Sequence, residues 1–260
     1  QVKICGNAVA VGDINGSTIC VFNASGALGS IDTSLNIAQI EVTGQGLVAA
    51  VLEDNEANYI NLYNTNGEKI YSVKTSLSGD GYPLDISVSE DGTKLMASYL
   101  YVSGESMKTN VVFYNFSDVG QNETERIVGG FNHYNDTIVG DVFFMDNKTA
   151  VAVGENLISI YKIKEYPKLY KEITIDNEIE RVFFSSEYIG IVQKNEESGD
   201  VYKLAVYNTS GSRVCQTTFN TQCDKIKLDG KTIVMNNDST LFLMNFKGRK
   251  LAEIQTTLPV

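Results

Sequence analysis

A short pattern recurs along this chain: an aromatic residue closing an apolar stretch, then an asparagine, two further residues and a glycine. It stands as Phe22-Asn23-Ala24-Ser25-Gly26, Tyr63-Asn64-Thr65-Asn66-Gly67 and Tyr207-Asn208-Thr209-Ser210-Gly211. Met244-Asn245-Phe246-Lys247-Gly248 is a looser copy, and Tyr114-Asn115 and Tyr161 keep the aromatic without the glycine. Neighbouring copies lie roughly 40 to 50 residues apart, the period of sheet-built propeller blades and longer than leucine-rich or short helical repeats. Six copies fit within the 260 residues.

Each copy carries the same parts in the same order. An alternating strand comes first (2–5, 38–42, 84–88, 141–144, 180–184, 224–228), then a tight polar turn and a second apolar strand. A polar hairpin, the strand bearing the aromatic, and a fourth strand after the glycine complete the unit. Period-two alternation between turns rich in Gly, Asn and Asp suits an antiparallel meander. No 3.6-residue apolar period persists, so helix should be nearly absent. A lone meander leaves both faces uncovered, and radial stacking against its siblings buries them. The expectation is an all-β propeller of six four-stranded antiparallel blades, one domain over 1–260, with approximate blades 1–35, 36–77, 78–131, 132–175, 176–219 and 220–260. The alternative is part of a seven-bladed ring. Residues 256–260 resemble the approach to a new first strand, which residues upstream would complete.

The run from Leu84 to Leu95, with Ser89-Glu90-Asp91-Gly92 followed by Thr93-Lys94, resembles the inner-strand and turn signature of WD-like and related bacterial propeller repeats. Over nearly its whole length the chain is similar to a family of uncharacterised bacterial propellers that carry a membrane anchor ahead of the propeller. That resemblance implies an extracytoplasmic, cell-surface location, tethered by an N-terminal membrane segment. It implies no chemistry.

Charge narrows the partners. Twenty-one Lys and Arg stand against 32 Asp and Glu, a net charge of -11. A phosphate backbone would be repelled, so nucleic acid is excluded as an expected partner. No apolar run approaches the ~18 residues of a membrane span. Cys5, Cys20, Cys215 and Cys223 lack C-x-x-C spacing and have only His133 to assist them, which argues against zinc. Cys215 and Cys223 are close enough in sequence to bridge a loop, but buried free thiols are the simpler reading. Asp13-Ile14-Asn15-Gly16-Ser17 has oxygen ligands at alternate positions, yet Ala24 stands where a calcium loop needs its bidentate Glu, and a hairpin turn explains it. Neither metal nor cofactor is expected.

Two groups of residues emerge as candidates. Blade three has the longest hairpin, 100–110, flanked by the inter-blade segments 76–83 and 130–139, and these should emerge together. They carry Asp80, Tyr82, Tyr101, Glu105, His133 and Tyr134 as a ligand or partner surface. The second group is Asp85, Asp141 and Asp224, near the starts of first strands and expected to rim the central channel. The simpler reading of these acids is a hydrogen bond to a neighbouring blade's backbone.

Enzymatic chemistry finds little support in the residues. His133 is the sole histidine, there is no G-x-S-x-G nucleophile, and Trp, the commonest sugar-stacking residue, is absent. The sequence reads as a non-enzymatic binding or scaffolding module, a monomer recognising a protein, peptide or cell-surface polymer through its long-loop face. The alternatives are a hydrolase or lyase with carboxylates at the channel mouth, and a structural spacer of an envelope assembly.

Overall fold

The computed structural model describes residues 1–134, 137–196, 199–237 and 239–255. These form six four-stranded antiparallel sheets in which sequence order is also spatial order. Sheet one holds β1 (Val2–Cys5), β2 (Ala8–Gly12), β3 (Thr18–Asn23) and β4 (Gly26–Asp32). Sheet two holds β5 (Asn36–Val42), β6 (Val48–Glu53), β7 (Ala57–Tyr63) and β8 (Lys69–Ser76). Sheet three holds β9 (Tyr82–Val88), β10 (Lys94–Ser103), β11 (Ser106–Asn115) and β12 (Ile127–Tyr134). Sheet four holds β13 (Val139–Asp146), β14 (Thr149–Gly154), β15 (Leu157–Ile163) and β16 (Pro167–Thr174). Sheet five holds β17 (Ile179–Phe184), β18 (Tyr188–Lys194), β19 (Tyr202–Asn208) and β20 (Arg213–Phe219), and sheet six β21 (Lys225–Asp229), β22 (Thr232–Asn236), β23 (Thr240–Asn245) and β24 (Lys250–Gln255). Among the described residues helix is confined to α1 (Asp118–Gln121) and a single 3-10 turn, Thr124–Arg126. The expected start of a further strand at 256–260 lies outside the described residues.

The recurrent turn has a uniform local cause. The Asn64 side-chain carbonyl accepts the N–H groups of Asn66 and Glu68 at 3.0 Å each, and Asn208 does the same for Ser210 (3.1 Å) and Ser212 (2.9 Å). Asn245 repeats it with Lys247 and Arg249. The glycine that follows sits at φ +82° (Gly67), +80° (Gly211) or +74° (Gly248), a region where a Cβ is strained.

Two compact units are present: Gln1–Gly154 with Tyr161–Lys168, and Glu155–Ile160 with Leu169–Val260. In the first, period-two alternation feeds two cores from one strand. Val48, Ala50 and Leu52 of β6 pack with sheet one's Ala8, Ala10, Ile19, Val21 and Ile31, whereas Ala49 and Val51 pack with sheet three's Ile86, Leu95 and Ala97. These sheets therefore lie face against face, with sheet two burying both its sides, at roughly 1.5 to 3 kcal/mol for each large aliphatic side chain fully withdrawn from water. First strands neighbour first strands, β1 beside β5, β5 beside β9 and β9 beside β13. In the second unit, Val192, Leu204 and Val206 of sheet five meet Ile233, Met235 and Met244 of sheet six, with Cys215 and Cys223 buried among them.

Candidate functional site

The residues expected on the long-loop face do not form one patch. The 100–110 segment is an extension of strand, because β10 and β11 stay paired from Lys94↔Asn115 out to Ser103↔Ser106 around a two-residue loop, Gly104 and Glu105. Gly104 takes φ +65° at the first loop position, where a type II′ hairpin requires glycine. Pairing to β9 stops at Leu100↔Tyr82 and pairing to β12 at Thr109↔Tyr134, so residues 101–108 project past their own sheet as a two-stranded ribbon. Val102 and Met107 are directly paired there, 74% and 59% exposed.

Placement of the other residues departs from expectation in two ways. Tyr134 was expected on an exposed connection, but Ile127–Tyr134 is strand β12, and the register shift between Thr109 and Val111 accompanies an inward Tyr134, 1% exposed. Its hydroxyl is hydrogen-bonded to that of buried Tyr161, and its ring stacks on exposed His133 with centroids 4.3 Å apart. Asp80 is spent locally, accepting the Ser76 N–H at 2.9 Å. Glu105 sits at the ribbon tip, while Asp80 and Tyr101 line a cavity of about 270 Å³ with Lys74, Tyr99, Tyr114 and Glu125. The Tyr99 and Tyr114 hydroxyls share a hydrogen bond of 2.8 Å there, and burial pushes both phenols well up. Glu125 and Arg126 both hold positive φ (52° and 58°) beside this cavity. Tyr71 holds that pair, its hydroxyl donating to the Glu125 carbonyl at 2.8 Å and its ring lying under the Arg126 guanidinium.

Tyr82 belongs elsewhere. It lines a second cavity, about 500 Å³, with Glu53, Asp54, Asn36, Asn58 and Leu77. Its hydroxyl donates to Glu53, and that hydrogen bond together with burial pushes the phenol up to about 12. Asn36 pairs with Glu53 across β5 and β6, and Glu53 with Asn58 across β6 and β7, so three polar side chains stand in register on one face.

The first-strand acids form a second perturbed group in the first unit. Asp85 Oδ2 accepts the backbone N–H of Val142 on β13 at 2.7 Å, and Oδ1 accepts from the Gln39 amide on β5. Burial raises the Asp85 carboxyl to about 6 against those hydrogen bonds, with Asp141 adding to the rise. Glu41 is ion-paired with Lys3 of β1, yet burial carries it to about 7 despite that cation, and nearby Asp85 adds to the rise. Burial also lifts Asp141. Asp85 and Asp141 are thus brought together, with Lys3, Gln39 and Glu41 as members that sequence reasoning missed. Their signal was position alone: each lies on a first strand whose alternate residues face the neighbouring first strands. Asp224 belongs to the second unit, where it is exposed at the head of β21 and its N–H bonds the Asn236 carbonyl at 2.7 Å.

Among the described residues no group of three or more His, Cys, Asp or Glu is arranged to hold a metal ion. All four cysteines are free thiols, and burial raises Cys5, Cys215 and Cys223. Asn15 (φ +66°) occupies the turn read as a poor calcium loop, where its N–H bonds the Ile37 carbonyl at 2.9 Å and ties sheet one to sheet two. No helix of the described residues is long and apolar enough to cross a membrane.

Comparison with solved structures gives the fold. The chain is similar to KlAtg21 in its complex with the coiled coil of AgAtg16 (TM-score 0.71, 11% identity, 98% of this chain and 84% of that one). It is similar to Hsv2 of Kluyvelomyces marxianus (TM-score 0.65, 13% identity, 100% and 81%). It also resembles the WD40 domain of Neurospora crassa Pan2 (TM-score 0.58, 9% identity, 94% and 74%). The six sheets are the blades of a β-propeller. No curated protein matches the sequence. Residues 1–260 match the Family of unknown function (DUF5711), so the protein is a propeller belonging to that family.

Proposed function

We propose that this chain is a non-enzymatic binding module that engages a protein partner through the β10–β11 ribbon. The observation that carries the reading is the cross-strand pair Val102 and Met107, both mostly exposed on a ribbon that its own sheet does not support. An isolated two-stranded hairpin is marginally stable in water, and apolar side chains at its end gain most from a covering surface. The flanking Tyr101 and Glu105 add a hydrogen-bonding aromatic and a charge at the rim of such a contact. Propeller neighbours include KlAtg21, solved with a coiled coil. Following the family resemblance, the reading puts the propeller outside the cytoplasmic membrane of a bacterium, tethered ahead of Gln1.

A photo-reactive amino acid at position 102 in cells producing the full protein tests it. One protein adduct is expected, absent when the probe stands at Lys247 and lost when Met107→Glu is added. Adducts that do not depend on position, or survive Met107→Glu, would reject the ribbon as the binding surface.

A second reading, a hydrolase or lyase, is favoured by the near-neutral carboxyls of Glu41 and Asp85, since perturbed acids gather at catalytic sites. Their oxygens are engaged by Lys3, Gln39 and Val142, which supports a structural role instead. Turnover of any ester or glycoside panel member that Asp85→Asn abolishes would reverse this preference.

A further inference from the structure

We infer that the cavity between Asn36, Glu53, Asp54, Asn58 and Tyr82 is a binding site for a polyhydroxylated ligand, a sugar residue of a saccharide. It is independent of the ribbon reading.

The wall of this cavity holds donors and acceptors with unused hydrogen-bonding capacity. Asn58 is 2% exposed, and its amide nitrogen has no hydrogen-bond partner. A buried amide donor left unpaired is costly and calls for an explanation. Asn58 lines the cavity, so rotation of its amide about χ2 turns the N–H toward an acceptor placed there. The rest of the wall supplies acceptors. Glu53 takes one hydrogen bond, from Tyr82, and Asp54 takes one, from the Asn55 N–H at 2.7 Å. A carboxylate has about four acceptor sites, so each has capacity left over. Among the described residues no Lys or Arg lines the cavity.

The ligand must therefore donate to two carboxylates and accept from an amide within a few ångströms. A metal ion or an ammonium group satisfies the carboxylates and the Asn58 side-chain oxygen but leaves the Asn58 N–H without an acceptor. A phosphate or carboxylate satisfies Asn58 but is repelled by Glu53 and Asp54. A hydroxyl does both, and adjacent hydroxyls on one ring suit polar side chains held in register by β5, β6 and β7. Leu35 and Leu77 in the same wall, with the Tyr82 ring, give an apolar face for the C–H side of a sugar. The volume, about 500 Å³, falls in the range of small-molecule sites.

The test uses the whole chain and saturation-transfer NMR with the methyl glycosides of glucose, galactose, mannose and N-acetylglucosamine. Transfer to ring protons of at least one sugar is expected. Affinity should fall about tenfold or more in Asp54→Asn, an exposed turn position that retains an acceptor for Asn55, and in Asn58→Leu. Transfer to none of the four overturns the inference, as does transfer that Asp54→Asn leaves unchanged. Calcium or spermidine binding that depends on Asp54, without sugar binding, would make this a cation site and overturn it equally.

Discussion

At Asp85 one carboxylate ties three first strands together, since its two oxygens reach Gln39 on β5 and Val142 on β13 from a position on β9. Burial sets its protonation behaviour, and the sign follows from linkage. The folded carboxyl titrates at about 6 against an ordinary 3.8, and Glu41 at about 7 against 4.5, so between these limits the folded chain holds more protons than the unfolded one. Their contribution to stability is complete below about pH 4 and is lost as pH rises toward 7, at most about 3 kcal/mol for either group. Urea midpoints should therefore be higher at pH 5 than at pH 8, and Asp85→Asn, which still accepts from Val142, should flatten that difference. A profile unchanged by the substitution would mean that Asp85 titrates normally. By contrast Asp91 is held below the ordinary range although burial pushes it up, because Thr93 and Ser89 donate to it. That environment was visible in Ser-x-Asp-Gly-Thr, whereas the one around Asp85 was not, since its partners come from residues 39 and 142.

At the scale of the strand and turn, the sequence is most informative where one residue type answers one local demand. Asn64, Asn208 and Asn245 were legible because their hydrogen bonds close within four residues. The ribbon was legible as a long insertion but not as strand, because pairing beyond Leu100 depends only on β11 answering β10. Tyr134 was misplaced because a register shift in β12 decides which way it faces. Contacts between sheets were invisible until the sheets were stacked, and Gly29 is the clearest of them. A Cβ at Gly29 on β4 would fall 1.8 Å from the Thr65 carbonyl oxygen in the turn after β7. Gly29→Ala should therefore cost about 2 to 4 kcal/mol by forcing sheet one from sheet two, read as a lowered thermal midpoint. Gly26→Ala, with nothing within 4 Å but φ +125°, should show backbone strain alone.

For the whole molecule the net charge is -11, and the ion pairs Lys94 to Asp91 and Lys194 to Glu180 are largely local or exposed. Self-repulsion of this kind weakens the compact state and is screened over roughly 10 Å at 0.1 M salt. Raising sodium chloride from low to physiological strength should move the urea midpoint upward at unchanged slope, corresponding to a gain in stability of up to about 1 kcal/mol. A downward shift would mean that attractive pairs dominate. Each of the six sheets is built from four consecutive strands, and none among the described residues borrows a strand from the far end of the chain. A ribosome can thus deliver this protein one finished sheet at a time. Sheet one has all its strands by Asp32, and sheets two and three each emerge to find the preceding sheet's greasy face already waiting, as sheet six finds that of sheet five, so synthesis itself hides sticky surface in the order in which it appears.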